Sequence, residues 1–367
     1  ITLGQTAPYS GLGSVLSSSM PRTEAAYFKM IDDQGGINGR KIKLISLDDG
    51  FNMNRSLEQT KKLVEQDHVA AIFSTIGPMA MATRAYLNHM GVPQLFIASS
   101  GNEAAHPREF PWTVGGIPVL RIEGQIFGRY LLINEAKAKA GILYEQDEFG
   151  NAYHQGLMQG FGGLYHQRVA AEASFADSRT PDVATPLEKL KNAGVDAVVL
   201  GVAPQFAVRV LDGMAALHWH PLTLIPSPSS SVRLLAPYGL AKLKGLMTAA
   251  SYMDPSDPRW TEDGRLKPYF AFLKKYVPGI HKNDLYALMG YVTAQAMAQT
   301  LRQCGNDLSR VNILRQAVSL RKFHPIGLLP GIHYFTSPSR RMPIMEAALE
   351  RFDGKYWVQI GEIMAGF

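Results

Sequence analysis

Two short segments of this chain carry groups that can bind a small anion. Each follows a strand-like run of apolar residues, and they read Gly77-Pro78-Met79-Ala80-Met81 and Ser99-Ser100-Gly101. The first segment is expected to open a helix, and the backbone N–H groups of a first helical turn have no partner inside the helix and favour an anion. The serines of the second segment add hydroxyl donors. Together these groups predict a site for a carboxylate.

Other polar and aromatic residues stand at equivalent positions, just after further strand-like runs. They are Tyr9, Ser10, Phe149, Tyr153, Pro204, Gln205, Ser227 and Ser229. In open parallel α/β sheets, ligands bind outside the carboxyl ends of the strands. We therefore expect these residues to line a ligand-binding site, provided that the chain forms parallel sheets.

The order of strand-like and helix-like segments predicts such sheets. The predicted strands span residues 1–6, 42–47, 69–74, 94–98, 140–144, 169–175, 195–202, 223–225 and 246–250. Segments with helical spacing lie between them, and this alternation is typical of α/β folds with doubly wound parallel sheets. Beyond residue 250, long helices are predicted at 267–277 and 286–303. The end of the chain predicts a β-hairpin around Asp353-Gly354.

Composition limits the class of protein. With 367 residues the chain exceeds what one core usually fills, so two domains are expected. A hydrophobic fraction of 46% with 19% charged residues is typical of a globular chain, and no apolar run is long enough to predict a membrane span. The net charge of +6 is distributed in isolated basic pairs, which suits an anionic small ligand and argues against nucleic-acid binding.

The single cysteine and the start of the chain carry two further expectations. Cys304 alone excludes an intrachain disulfide and a metal site built from several thiolates. The chain enters a strand-like run at Ile1 without an initiator methionine, which predicts a mature chain from which an export signal has been removed.

Catalytic and cofactor motifs are missing from the sequence. It contains no nucleophile elbow, no zinc-protease helix motif, no Walker loop and no dinucleotide fingerprint. His218 and His220 stand beside Pro221 without an acid nearby in sequence, and the run after Asp48 lacks the spacing of an EF-hand. We therefore predict that the protein is not an enzyme and uses no cofactor and no metal.

Six motifs, in order along essentially the whole chain, resemble one family. They are Pro8-Tyr9-Ser10-Gly11, Gly35-Gly36-Ile37-Asn38-Gly39-Arg40, Asp48-Asp49, Ile76-Gly77-Pro78, Gly91-Val92-Pro93-Gln94 and Tyr144-Glu145-Gln146-Asp147-Glu148-Phe149-Gly150. In this order and spacing the chain resembles the type I periplasmic solute-binding proteins of the leucine/isoleucine/valine-binding family. Those proteins are the receptors of branched-chain-type ABC transporters.

The resemblance implies a fold and a division into domains. It implies two doubly wound parallel-sheet α/β lobes, joined by a three-segment hinge and closing on a ligand in the cleft between them. The first lobe would comprise residues 1–118 plus 252–328, and the second 119–251 plus 329–367. The crossings would fall near 116–119, 251–253 and 328–331.

Two departures from the family pattern bear on the ligand. In the family, a small hydroxyl residue after the Gly-Pro pair helps to hold the ligand carboxylate, whereas Met79, Ala80 and Met81 occupy these places here. The family's amino-acid receptors hold the ligand ammonium with an acid of the second lobe, and the matching loop 226–231 has none. Both departures favour an apolar carboxylate over an α-amino acid. Packing of the two methionines in the core is the open alternative.

The resemblance extends more weakly to the branch of the family that binds aromatic carboxylates, through Pro93-Gln94-Leu95-Phe96 and Phe110-Pro111-Trp112-Thr113. It implies an exported, periplasmic or surface-anchored monomer that captures a small carboxylate, best matched by an aromatic acid, for the membrane permease of an ABC transporter. Three alternatives stay open: an amino-acid or amide receptor, a sensor of the same fold that feeds a signalling partner, and an α/β enzyme.

Overall fold

The computed structural model describes residues 1–11, 18–99, 106–176 and 181–366. The chain forms two compact units. Unit 1 comprises Ile1–Pro118 and Pro258–Ile344, and unit 2 comprises Val119–Asp257 and Met345–Phe367.

The described part of unit 1 contains a five-stranded sheet in the order β2-β1-β3-β4-β5, with every neighbouring pair parallel. Its strands are β1 (Thr2–Ala7), β2 (Lys43–Asp48), β3 (Ala71–Phe73), β4 (Gln94–Ile97) and β5 (Thr113–Gly115). Its helices are Ser19–Asp33, Met53–Glu65, Pro78–His89, Arg259–Glu262, Lys267–Tyr276, Leu285–Cys304 and Arg310–Ala317. Gly35 (φ 102°) and Gly36 (φ 75°) end the first helix in the left-handed conformation that glycine adopts most easily.

The described part of unit 2 contains a seven-stranded sheet in the order β12-β11-β10-β9-β8-β6-β7. Its strands are β6 (Ala140–Glu145), β7 (Val169–Phe175), β8 (Ala197–Gly201), β9 (Leu222–Leu224), β10 (Met247–Ala250), β11 (Glu346–Phe352) and β12 (Trp357–Ala365). Its α-helices are Leu120–Asn134, Glu148–Phe161, Tyr165–Arg168, Ala184–Asn192, Pro204–Ala216 and Val232–Leu235, and its 3-10 turns are Gly162–Leu164, Ser227–Ser229, Ala236–Tyr238 and Leu240–Leu243. Strands β6 to β10 are parallel, while β11 and β12 form the antiparallel hairpin predicted for the chain end.

The predicted α/β fold with two mainly parallel sheets is confirmed. Each predicted strand is present to within about two residues of its expected bounds, as are the long helices Lys267–Tyr276 and Leu285–Cys304. Strand β5 was not predicted, because Thr113, Val114 and Gly115 include a single strongly apolar side chain. Among the described residues, no helix combines the length and the apolar character that crossing a bilayer requires.

The chain passes from one unit to the other three times, after Pro118, after Asp257 and after Ile344. Residues 329–344 belong to unit 1, and one ring contact and one backbone hydrogen bond join them to its last strands. The ring of Tyr334 lies 6.4 Å from that of Phe96, and the carbonyl of Arg341 accepts a 2.9 Å hydrogen bond from the Gly115 amide. This segment falls on the other side of the division that the resemblance implies.

Two helices of unit 2 approach each other through glycines spaced four residues apart. Gly124 and Gly128 of helix Leu120–Asn134 face Gly156 and Gly160 of helix Glu148–Phe161, and a Cβ built on Gly128 would lie 3.0 Å from the Cα of Gly160. Glycine is required here because the two backbones leave no room for a side chain. This close packing positions Glu123 and Tyr153, which the same helices carry.

Candidate functional site

In unit 1, the loop after β1 is held by an acid at the end of β2. The Oδ1 atom of Asp48 accepts the N–H groups of Tyr9 and Ser10, each at 3.0 Å, and its Oδ2 atom accepts the Ser10 hydroxyl at 2.6 Å. Arg55 donates to the same Oδ2 at 3.0 Å. Burial opposes ionisation of Asp48, but these hydrogen bonds keep the pKa of its carboxyl below the ordinary value. The Ser10 hydroxyl proton is therefore already used within unit 1.

A chain of hydrogen bonds runs under this edge of the sheet from Tyr9 to Ser74, the residue after β3. The hydroxyl of Tyr9 meets that of Ser46 at 2.7 Å, and Ser46 donates to Oε1 of Gln5 at 2.8 Å. The buried carboxyl of Glu24 accepts at 2.6 Å from the Gln5 amide and at 2.6 Å from the Ser74 hydroxyl. Glu24 thus links the loops that follow β1 and β3.

Replacing Glu24 with glutamine should flatten the dependence of stability on pH. Burial raises the pKa of Glu24 to about 8, although hydrogen bonds from Ser74 and Gln5 lower it. The pKa of Glu24 is higher in the folded than in the unfolded chain, so the protonated side chain adds to the free energy of unfolding. This stabilisation is complete below pH ~4.5 and is lost as the pH rises through ~8, at up to ~1.4 kcal/mol per pH unit. Urea unfolding between pH 5 and 8.5 measures the slope. The exposed Glu58→Gln is the control, and equal slopes in E24Q and the parent would contradict the prediction.

The carboxyl ends of β3 and β4 are joined by a parallel bridge between Ile76 and Ala98. Beside this bridge, the side chains of Thr75 and Ser99 are 0% and 1% exposed. Their hydroxyl oxygens have no hydrogen-bond partner within the part of the chain that the structure describes. A buried hydroxyl without a partner is uncommon and costs ~1–3 kcal/mol, so the pair indicates a place where a bound group supplies the partner.

The helix Pro78–His89 begins beside these hydroxyls, with Gly77 (φ 59°) as its cap. Pro78 has no N–H, and the amide of Ala80 donates to the Gly77 carbonyl at 3.1 Å. The first turn therefore offers an anion fewer donors than expected. The side chains of Met79 and Ala80 are fully buried, and that of Met81 is half-buried. Ser100 and Gly101, which were also predicted to bind ligand, lie outside the described residues.

Phe51, which was not predicted, is an exposed aromatic residue at the same edge. It is 39% exposed and has a φ of 57°. A Cβ built on Gly77 would lie 3.5 Å from the Phe51 ring and 4.0 Å from the terminal methyl of Met79. The exposed ring and the buried methyl group thus both lie beside Gly77, two residues after the unpartnered Thr75.

In unit 2, two predicted residues, Tyr153 and Ser227, bond to an acid that was not predicted. Oε2 of Glu123 accepts the Tyr153 hydroxyl at 2.6 Å and the Ser227 amide at 2.9 Å, and Oε1 accepts the Ser227 hydroxyl at 2.6 Å. The ring of Phe149 lies 5.4 Å from that of Tyr153. Glu123 is 1% exposed, and burial raises the pKa of its carboxyl to about 7, against the hydrogen bonds from Ser227 and Tyr153.

The remaining predicted residues of unit 2 lie near the end of β8. The hydroxyl of Ser229 donates to the carbonyl of Val202 at 2.7 Å and is fully buried. Pro204 is buried and Gln205 is exposed at the start of helix Pro204–Ala216. The structure therefore gives Ser229 a bond within the fold, and it leaves the side chain of Gln205 accessible.

Four residues of interest were not selected from the sequence: Phe51, Thr75, Glu123 and Tyr252. Phe51, Thr75 and Tyr252 lie two or three residues beyond strand ends, so a wider window after each strand includes them. Glu123 lies on a helix, where no strand-based rule applies. Across the described ranges, no group of three or more histidine, cysteine, aspartate or glutamate side chains is arranged to hold a metal ion.

Comparison with known proteins gives a match over nearly the full chain. A family model described as periplasmic binding protein matches residues 1–354. A protein of Pseudomonas aeruginosa, described as an amino acid binding protein, is 21% identical over 344 residues, which cover 90% of this chain and 84% of that protein.

Solved structures share the fold. A branched-chain amino acid ABC transporter protein of Thermus thermophilus with bound valine has a TM-score of 0.84 at 14% identity, covering 100% of this chain and 96% of that chain. An ABC transporter solute-binding protein of Rhodopseudomonas palustris in complex with 3,4-dihydroxybenzoic acid has a TM-score of 0.78 at 18% identity, covering 100% and 97%.

Proposed function

The chain belongs to the periplasmic binding protein family, and from that premise we propose that it is the extracytoplasmic receptor of an ABC importer for a small aromatic carboxylate. The family is one of binding proteins of the branched-chain amino acid ABC transporter type and not of enzymes. The receptor would bind its ligand by closure of the two units and present it, as an exported monomer, to a membrane permease. The order of family motifs supports this part of the proposal.

The observation that carries the carboxylate assignment is the pair of unpartnered hydroxyls of Thr75 and Ser99. Both oxygens are buried beside neighbouring strand ends, where ligands of parallel sheets bind. Each hydroxyl can donate one hydrogen bond, and a carboxylate is the group that accepts several at once. Hydrogen bonds to a charged group contribute ~1.5–3 kcal/mol each.

The exposed ring of Phe51 supports an aromatic ligand. It lies beside Gly77, at the same sheet edge as the two hydroxyls. Burying ~150 Å² of ligand ring against such a surface contributes ~4 kcal/mol at ~25 cal/mol per Å². With two charge-assisted hydrogen bonds, the total before ordering costs is enough for micromolar capture, which needs ~8 kcal/mol.

A second candidate, an α-amino acid, is favoured by one observation. Loop 226–231 contains no acid, but Ser227 in that loop donates to the buried carboxyl of Glu123. An ammonium group needs such an acid when it is removed from water. The relative with bound valine fits this candidate, and the relative with bound dihydroxybenzoic acid fits the first.

A thermal-shift screen of ligand-stripped protein distinguishes the two candidates. Ligand that binds only the folded state raises the melting temperature by mass action. We expect benzoate or a substituted benzoate to raise it, and leucine, valine and glutamate to leave it unchanged. Stabilisation by the amino acids alone would contradict the aromatic proposal.

Replacing Ser99 with alanine should weaken binding of the aromatic carboxylate about tenfold, because one charge-assisted hydrogen bond of ~1.5 kcal/mol is lost. The unliganded stability should change by less than ~0.5 kcal/mol, since the hydroxyl has no partner to lose in the described structure. Calorimetric titration and urea unfolding measure the two quantities. Ser339→Ala, at an exposed position, is the control. A clear loss of stability with unchanged affinity would show that Ser99 has only a structural role.

A further inference from the structure

Three hydrogen-bonded residues of unit 2, Glu123, Tyr153 and Ser227, together with the buried Tyr252, are here called the Glu123 cluster. Both oxygens of Glu123 accept hydrogen bonds, but they are not used equally. Oε2 accepts two, from the Tyr153 hydroxyl and the Ser227 amide, whereas Oε1 accepts one, from the Ser227 hydroxyl. Because each carboxylate oxygen has two lone pairs, Oε1 retains acceptor capacity.

Tyr252 is the second, independent observation. Its side chain is 7% exposed, and its hydroxyl has no hydrogen-bond partner among the described residues. Tyr252 lies two residues beyond β10, and both helix Leu120–Asn134, which carries Glu123, and the turn Ser227–Ser229 pack against that strand. Burial, and after it the charge of Glu123, raises the pKa of this phenol. A phenol that is buried without a partner costs free energy unless a bound molecule completes its hydrogen bonding.

The acid of the Glu123 cluster also has no basic partner among the described residues. Glu123 makes hydrogen bonds with neutral donors only, and no lysine, arginine or histidine pairs with it in the described ranges. A buried carboxylate is stabilised by each further donor that reaches it. The cluster therefore offers an acceptor at Oε1 and a free hydroxyl at Tyr252, in an environment shielded from water.

We propose that the Glu123 cluster is a subsite for a hydroxyl group of the ligand, which donates to Oε1 of Glu123 and accepts from the hydroxyl of Tyr252. A hydroxyl matches both groups because it is a donor and an acceptor at once. An ammonium has donors only and would leave the Tyr252 proton unused, and a methyl group would leave both protein groups unsatisfied. Resting on the receptor function proposed above, this assignment makes the ligand a hydroxylated aromatic carboxylate.

The test is a calorimetric titration of ligand-stripped protein with four probes: benzoate, 3-hydroxybenzoate, 4-hydroxybenzoate and phenylalanine. At least one hydroxybenzoate is expected to bind ten or more times tighter than benzoate, because a site that hydrogen-bonds a hydroxyl discriminates against the analogue without it. In Glu123→Gln, an N–H group replaces one acceptor, so the affinity ratio should fall to about one. Tyr252→Phe removes only the unpartnered hydroxyl and should reduce the ratio about fivefold with the fold intact.

Two matched variants of unit 2 serve as controls. Tyr238→Phe removes a part-buried phenol that donates to the Leu211 carbonyl, and Glu188→Gln removes an exposed acid. Both should keep the parent ratio. If Glu123→Gln fails to fold, the affinity ratio of hydroxybenzoate to benzoate in Tyr252→Phe tests the proposal by itself.

The outcomes separate this inference from the receptor function. Benzoate binding with no preference for any hydroxybenzoate, or a preference that survives both variants, would overturn the hydroxyl subsite and leave the aromatic receptor standing. Binding of phenylalanine that is lost in Glu123→Gln would assign the acid to an ammonium and also overturn the subsite. No binding of any aromatic carboxylate would contradict the receptor proposal itself.

Discussion

Replacing Gly156 with valine should lower the free energy of unfolding by ~3 kcal/mol or more, the largest effect on stability that we expect from a single substitution. A Cβ at this position would lie 2.2 Å from the Arg121 carbonyl oxygen and 2.9 Å from the Gly124 Cα, and both are backbone atoms that cannot turn away. The two helices must therefore move apart. Urea unfolding followed by circular dichroism measures the loss.

Gly163→Ala is the matched control for this prediction. A Cβ built there meets nothing within 4 Å, so the variant should stay within ~0.5 kcal/mol of the parent. Because separation of the helices also breaks the bond between Tyr153 and Glu123, Gly156→Val should weaken ligand binding in any fraction that folds. A Gly156→Val protein with parental stability would mean that the helices are not packed as described.

Replacing Phe51 with alanine should weaken binding of an aromatic carboxylate about thirtyfold, or ~2 kcal/mol, because both the apolar area and the ring-to-ring contact are lost. The effect on stability should be small, since the ring is 39% exposed in the unliganded chain. Calorimetric titration with benzoate, together with urea unfolding of the unliganded variant, measures the two effects.

Two control variants test whether the loss of affinity is specific to the ring of Phe51. Phe51→Tyr keeps the ring and should keep the affinity within about threefold. Met53→Ala removes a more exposed apolar side chain, at 55%, from the same stretch and should leave the affinity unchanged. An equal loss in Phe51→Ala and Met53→Ala would indicate a general effect of the loop and would contradict stacking on Phe51.

Much of the fold follows from the sequence because parallel strands in α/β proteins are short, apolar and separated by helices. The runs ending near Thr6, Leu47 and Ser74 show this pattern directly and became β1, β2 and β3. Strand β5 does not show it, since its pairing with β4 depends on a non-local contact and not on local periodicity.

Residues of the candidate site could be proposed from the sequence where they directly follow strands, as Ser99 does. Tyr153 and Ser227 follow β6 and β9, which are separated by β8 in the sheet, and they meet through Glu123. Glu123 was missed because it lies on a helix, and the glycine packing of that helix against helix Glu148–Phe161 positions its carboxyl beside Tyr153. The burial of Met79 depends on the apolar neighbours that surround it in the fold, which no sequence period records.

The unpartnered hydroxyl of Tyr252 could not be predicted from the sequence either. A tyrosine in sequence carries no sign of whether its hydroxyl has a partner, because the donors and acceptors around it come from distant segments. Loop 226–231 contains no acid in the sequence, but the fold brings the carboxyl of Glu123 to Ser227 in that loop.

The most direct test of the account is a calorimetric titration of ligand-stripped protein with benzoate and, separately, with leucine. The unpartnered hydroxyls of Thr75 and Ser99 together with the exposed ring of Phe51 predict saturable binding of benzoate or a hydroxybenzoate at micromolar Kd, and no heat of binding with leucine. Saturable binding of leucine with none of the aromatic acid would contradict the account and would make Glu123 the partner of a ligand ammonium.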